Sequence, residues 1–396
     1  MEPAGERGSA GGGRNAARAR PAARAFAGLL LLASSAGCVT LDAGSTQLAL
    51  AADRVIVPIV LDEGVPLLDV RIGGQGPFRF KLDTGSGPMV VSQRLAERVA
   101  MQTWRVRGSL TGANGRTRGI DTVADLPDVE LAAGATVSRV RAVVLPGEDL
   151  DVHYGGRPVV GILGFSAFSG CTLTVDYPSR RLVLSRATLP VGGDDRDVLP
   201  MTVAGKTPRV QVMLGEHPVE VLVDTGNDQG LIVPEAEGER LAFAAPPIEG
   251  PLLATVSGLT RVRIGRFDGD LHVGPHRVQQ PLVSLMPCNG AMLGAELLRH
   301  FIVTLDARTA QARFAREAAP PVTVESRFSD GLGLRRHGGG WQVIDVIPGS
   351  DAERAGIVPG DLIRAIEDLG GGAYRVEVGQ PGAFREVELR VGVLVR

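Results

Sequence analysis

An excess of charge of either sign is missing from this chain of 396 residues. Its 42 Lys and Arg face 44 Asp and Glu, a formal balance of −2. No basic excess exists to hold a phosphate backbone, so nucleic acid is excluded as an expected partner. Cysteine is scarce: only Cys38, Cys171 and Cys288 occur. None has a second cysteine at metal-ligand spacing, and neither a metal nor a cofactor is expected. Cys38 aside, Cys171 and Cys288 can form one bridge in an exported protein or stay free. GxSxG, P-loop and GxGxxG signatures in their required settings are also missing, which sets aside serine hydrolases and nucleotide-binding enzymes. Aromatic residues amount to only 4 %, whereas glycine (53) and proline (26) are plentiful. With 44 % apolar residues, this composition argues against disorder and for many short strands joined by turns.

The N-terminus reads as a targeting segment. Arg14, Arg18, Arg20 and Arg24 form a basic region, and Ala25 to Ala33 form an apolar run too short to span a bilayer as a helix. The next residues, Ser35-Ala36-Gly37-Cys38, resemble a bacterial lipobox, whose cysteine is lipidated and becomes the first residue. The resemblance implies a lipoprotein signal peptide over residues 1–37, export to the cell envelope or periplasm, and a lipid anchor in a membrane through Cys38. Leu is commoner where Ser35 stands, and an ordinary cleaved signal with an incidental cysteine is the alternative. Residues 1–20, rich in Gly and Arg, read as a start site placed too early. Residues 38–52 read as a tether.

Two stretches then repeat each other. Residues 79–87 read RFKLDTGSG and residues 219–227 read VEVLVDTGN. Each is an apolar strand ending in Asp-Thr-Gly: Asp83-Thr84-Gly85 and Asp224-Thr225-Gly226. The aspartates are 141 residues apart (224 − 83), about one lobe of a two-lobed fold. Further echoes follow in order. Leu163-Gly164 returns as Leu293-Gly294, and TLTVDYPSRRLVLS returns as FIVTLDARTAQARF. This internal duplication divides the chain into one lobe over 53–190, a linker around 186–198, and a second lobe over 198–317. In the first lobe, Ser92 caps a helix and Thr111 to Arg118 form a hairpin in the place of a substrate-covering flap. In the second lobe the helix after Asp-Thr-Gly is weaker, and residues 254–263 carry little turn signal. One clear flap and one poor one are expected. Residues 151–158 read as loop. His272 and His276 are separated by Gly274 and Pro275, which excludes a helical metal pair and leaves them as surface polar residues.

A carboxylate delivered by a buried strand onto a tight Gly turn is poor packing chemistry, but it is good catalytic chemistry when a second carboxylate meets it. Two carboxylates a few ångströms apart cannot both ionise cheaply, so they share one proton. The ionised member can take a proton from water while the protonated member polarises a carbonyl. The residues 53–317, with Asp-Thr-Gly after an apolar strand and a later apolar strand ending in Gly, resemble aspartic peptidases with retropepsin-sized lobes fused in tandem, as in pepsin-like single chains. The resemblance implies a mostly β fold with Asp83 and Asp224 as the catalytic dyad. It implies that Thr84 and Thr225 bond across the two turns, that Gly85 and Gly226 admit backbone N–H groups to the carboxylates, and that Ser86 bonds the outer oxygen of Asp83. Asn227 departs from the Ser or Thr usual there, so the halves would be electrostatically unequal.

A second linker, 318–330, leads to a third pattern over 325–396. Gly331-Leu332-Gly333-Leu334, followed by VIDVIPGSDAERAGIVPGDLIRAIED, resembles a bacterial PDZ domain. In that family the GLGL loop holds a peptide's C-terminal carboxylate through backbone N–H groups. The sequence after Asp368 reads as strands, so the helix forming the other groove wall is expected to be missing or very short. The alternative role is a docking or regulatory module. The chain as a whole therefore reads as an aspartic endopeptidase, a hydrolase acting on an extended polypeptide. The rival reading is a catalytically silent cell-envelope peptide- or protein-binding protein with the same fold.

Overall fold

The computed structural model describes residues 29–30 and 46–395, apart from 133, 147–151, 155–156, 193–194 and 318–319. Cys38 and all of the signal segment except Leu29 and Leu30 lie outside the described residues.

Alternating apolar residues build a six-stranded sheet at the centre. Its strands, in spatial order, are Arg54–Pro58, Arg181–Ser185, Thr172–Asp176, Ile302–Asp306, Gln311–Ala315 and Val198–Ala204, each antiparallel to the next. Leu173, Val175, Leu182, Leu184, Val303 and Leu305 are buried on it, as the period of two along a strand requires. The two repeats meet at its middle. Thr174 pairs with Thr304, and their Oγ1 atoms lie 3.0 Å apart.

Each repeat then folds the same way above this sheet. In the first lobe, Gln75–Asp83 runs parallel to Gly161–Gly164, with Asp83 opposite Gly164. Val90–Ser92 lies antiparallel on the other side of Gly161–Gly164 and parallel to Val140–Leu145. That strand pairs with Thr117–Leu126, which forms a hairpin with Gln102–Thr111. In the second lobe, His217–Asp224 runs parallel to Ala291–Gly294, with Asp224 opposite Gly294. Leu231–Pro234, Leu282–Met286 and Gly258–Arg266 follow in the same arrangement. Ser92 caps the helix Gln93–Arg98, its Oγ accepting from Leu95 N at 3.1 Å. The corresponding helix of the second lobe, Glu235–Gly238, has only 4 residues and no side-chain cap.

Three expectations are corrected. The second hairpin is as well formed as the first: Ile248–Thr255 pairs with Gly258–Arg266 around Val256 and Ser257. Gly258, at φ +119, is the one residue type that readily supplies that backbone. Residues 151–158 are not all loop, since Val152–Tyr154 pairs with Arg157–Val159. The second linker is stitched to the rest over part of its described residues: Val322–Thr323 lies along Val278–Gln279, and Arg327–Ser329 pairs with Gly392–Val395.

The C-terminal region forms a five-stranded sheet from Leu332–His337, Gly340–Val346, Leu362–Gly370, Ala373–Gln380 and Ala383–Arg390. Its helix, Asp351–Arg354, has 4 residues and is capped by Ser350. Only strands follow Asp368 among the described residues, and no further helix. The sheet has its own apolar core, including Leu334, Val343, Ile363, Tyr374 and Leu389.

Candidate active site

Strand pairing brings the two Asp-Thr-Gly turns face to face. Asp83 and Asp224 end their strands at equivalent register positions, and each is 1 % exposed. The glycines allow the approach. A methyl group added to Gly85 would lie 2.4 Å from Asp224 Cγ, and one added to Gly226 would lie 2.3 Å from Asp83 Cγ. Each turn therefore passes under the other turn's carboxyl group with no room for a side chain. The glycine strands are held equally close: a methyl on Gly164 would meet Pro88 O at 2.2 Å, and one on Gly294 would meet Gln229 O at 2.2 Å.

The threonines lock this arrangement. Thr84 N donates to Thr225 Oγ1 and Thr225 N donates to Thr84 Oγ1, both at 3.1 Å. Thr84 Oγ1 in turn donates to Val223 O and Thr225 Oγ1 to Leu82 O. Asp83 Oδ1 accepts from Ser86 N at 3.0 Å, whereas Asp224 Oδ1 accepts from Gly226 N at 3.0 Å. Ser86 engages Asp83 through its backbone, and its hydroxyl donates instead to Pro88 O at 2.9 Å. Asn227 turns inward, and its Oδ1 accepts from Gln229 N at 2.9 Å. Both Oδ2 atoms are buried without a directed hydrogen bond among the described residues.

The two carboxyl groups are not equivalent. Burial first, and the neighbouring charge of Asp83 second, push Asp224 well above the usual carboxylate range. These surroundings favour the protonated form of Asp224. A lysine that the motif reading passed over adds to the difference. Lys81 is 2 % exposed, and its Nζ lies 3.0 Å from Asp83 Oδ2. The signal was present in RFKLDTGSG: a residue two positions before the aspartate on a strand points to the same face. Tyr177 was passed over too. Its hydroxyl is buried with no hydrogen-bond partner among the described residues, and burial and the charge of Asp224 push its ionisation upward. Nothing local in the sequence ties residue 177 to residue 224.

The two hairpins touch each other at their tips. Asn114, 3 % exposed at the tip of the first, donates from Nδ2 to Thr260 Oγ1 at 2.8 Å and accepts from Ser257 Oγ. Val256, at the tip of the second, packs with Leu110, Ile120, Val143 and Ile162 of the first lobe.

The remaining predicted positions lie elsewhere. Gly331 immediately precedes the first strand of the C-terminal sheet, and Leu332, Gly333 and Leu334 open it. Gly331 N donates to Ser329 Oγ at 3.0 Å and Leu332 N to Asp330 Oδ1 at 2.8 Å. These two N–H groups thus engage the chain's own oxygens. Asp330 also accepts from the Tyr374 hydroxyl. His276 pairs with Asp197, Nε2 to Oδ1 at 3.0 Å, on a hairpin next to His272. Cys171 and Cys288 are both free thiols.

A family model described as aspartyl protease matches residues 68–167, within the first lobe. No curated protein matches the chain. Among solved structures, Basic 7S globulin from soybean is similar at 12 % identity with a TM-score of 0.41, over 70 % of this chain and 98 % of that one. The family match and the mostly β architecture show an aspartic-protease-like fold.

Proposed function

We propose that the protein is an aspartic endopeptidase, with Asp83 and Asp224 as a shared dyad that activates water. The observation that carries this reading is the mutual approach of the turns: Gly85 beneath the Asp224 carboxyl, Gly226 beneath that of Asp83. Two buried carboxyl groups so arranged, in unequal surroundings, are suited to divided acid and base work. Ionised Asp83 takes a proton from water as the water oxygen bonds to the peptide carbonyl carbon. Protonated Asp224 gives its proton to the carbonyl oxygen, producing a tetrahedral diol. As the C–N bond breaks, Asp83 passes its proton to the leaving nitrogen and a diol hydroxyl returns one to Asp224. The dyad ends as it began.

The substrate is an extended polypeptide, adding its backbone to strand edges beneath the hairpins. Meeting hairpin tips mean that substrate entry requires them to part. Exported chain, lipid-anchored through Cys38 in the cell envelope, is part of the same reading. It is supported by the basic region, the apolar run and Ser35-Ala36-Gly37-Cys38. The C-terminal sheet acts as a docking or regulatory module, because a groove with one wall and internally bonded loop N–H groups is poorly suited to tight capture of peptide termini.

One observation favours the silent, peptide-binding reading: the closed contact of Asn114 with Ser257 and Thr260 between the hairpin tips. One experiment separates the two. Residues 39–396 are incubated with an unfolded protein substrate from pH 3 to 8, beside Asp83→Asn and Asp224→Asn. Cleavage that resists chelators and is lost in both variants supports the peptidase. Folded protein that cleaves at no pH supports the binding protein.

A further inference from the structure

The two lobes repeat each other in topology but differ at the position two residues before each aspartate. The second lobe has Leu222 there; the first has Lys81. A lysine 2 % exposed is costly to bury unless its ammonium is paired. Its Nζ lies 3.0 Å from Asp83 Oδ2 and donates to Gly226 O at 3.1 Å. It therefore touches the carboxyl of one turn and the backbone of the other. Its register partners, Leu67 and Ile162, are buried and carry no charge. The titratable groups around it are Asp83 on its own strand, Asp224 from the opposite turn, and Tyr177 beyond Asp224. Arg79, further back on the same strand, is engaged with Asp69 at 2.7 Å.

We propose that Lys81 is a positioning residue of the dyad: its ammonium keeps the pair's negative charge on Asp83 and ties the Asp224 turn to the Asp83 strand. The inference rests on the peptidase reading for its catalytic meaning. The electrostatic core of it, however, holds whether or not the protein turns over a substrate. Lys81 charge opposes the upward displacement of Asp224. Removing it leaves two carboxyl groups with less reason to share only one proton.

The test uses the full protein with ¹³C-labelled aspartate carboxyl groups, titrated by NMR as wild type, Lys81→Met and Lys81→Leu. Methionine preserves the length of the side chain; leucine copies the residue of the other lobe. The dyad's upper transition should move to higher pH by about 1–3 units in both variants, the size of a close opposite charge. If wild type cleaves protein, both limbs of its kcat/KM profile should move by the same amount, a shift that merely structural damage would not cause. Folded variants with an unmoved titration would overturn the proposal. So would the failure of both variants to fold, since the lysine would then serve the fold and not the dyad. If wild type cleaves nothing while the titration still moves, only the peptidase reading falls.

Discussion

Thr84 and Thr225 bond each other reciprocally across the two lobes, each backbone N–H donating 3.1 Å to the other's Oγ1. Both residues are fully buried. Removing one hydroxyl therefore orphans a buried donor and a buried acceptor. Thr225→Ala should lose about 2–4 kcal/mol of stability, since an unsatisfied buried polar group costs about 1–3 kcal/mol. Thr225→Ser, which keeps the oxygen, should recover most of it. Urea unfolding of the three proteins checks this, and equal stability of the Ala and Ser variants would contradict it.

The raised ionisation of Asp224 makes stability depend on pH with a definite sign. The folded protein holds this proton more tightly than the unfolded chain, where Asp titrates near 3.8. Stability from this group is fully present below the unfolded value and is lost as pH rises through the folded one. Asp224→Asn removes the dependence, so the variant should gain on wild type as pH rises from 4 towards 8. Unfolding free energies measured across that range decide; a variant that loses ground to wild type as pH rises would be the contrary result.

Asn114 joins the two hairpins at their tips. Its Nδ2 donates to Thr260 Oγ1 at 2.8 Å, and its Oδ1 accepts from Ser257 Oγ. Asn114→Ala should leave the fold intact and let the tips part more often. Amide hydrogen exchange should then quicken by about tenfold at residues 110–118 and 254–260, the effect of roughly 1.4 kcal/mol less closure energy. Exchange elsewhere should be unchanged.

Asp345 couples the C-terminal sheet to the second hairpin. It is 2 % exposed, receives both terminal nitrogens of Arg261 (Nη1 at 2.9 Å, Nη2 at 2.5 Å), and accepts from Leu252 N at 3.0 Å. A bidentate guanidinium pair is geometrically demanding. Asp345→Asn removes its charge and one acceptor, leaving Arg261, itself part-exposed, to solvent. The variant should lose about 1–3 kcal/mol and become sensitive to limited proteolysis between residues 318 and 330. Unchanged thermal unfolding and digestion would show the contact to be unimportant.

The two thiols should be inert in the folded protein. Burial pushes Cys171 up to about 12 and Cys288 to about 11, so almost no thiolate exists at neutral pH. Iodoacetamide at pH 7.5 should label neither until denaturant is added, as mass spectrometry would show.

Local pattern carried much of this protein. Period-two apolar runs and Gly turns specified the strands, and two Asp-Thr-Gly turns 141 residues apart (224 − 83) specified a duplicated fold. Each of those signals is confined to a few neighbouring residues, where the backbone's own geometry does the work. The second hairpin escaped that reading because its turn, Val256-Ser257, has little propensity of its own. It is held by pairing along two strands and by burial of Val256 against the other lobe.

The sequence by itself determined that two carboxylates end buried strands, and that the lobes repeat. Only the tertiary structure decided that they differ. Lys81 reads as one basic residue among 42 until strand pairing buries it 3.0 Å from Asp83 Oδ2. Tyr177 is a turn residue until the central sheet brings it near Asp224. The reason is physical: charge interactions depend on distance and on exclusion of water, and both are set by contacts between residues far apart in the chain.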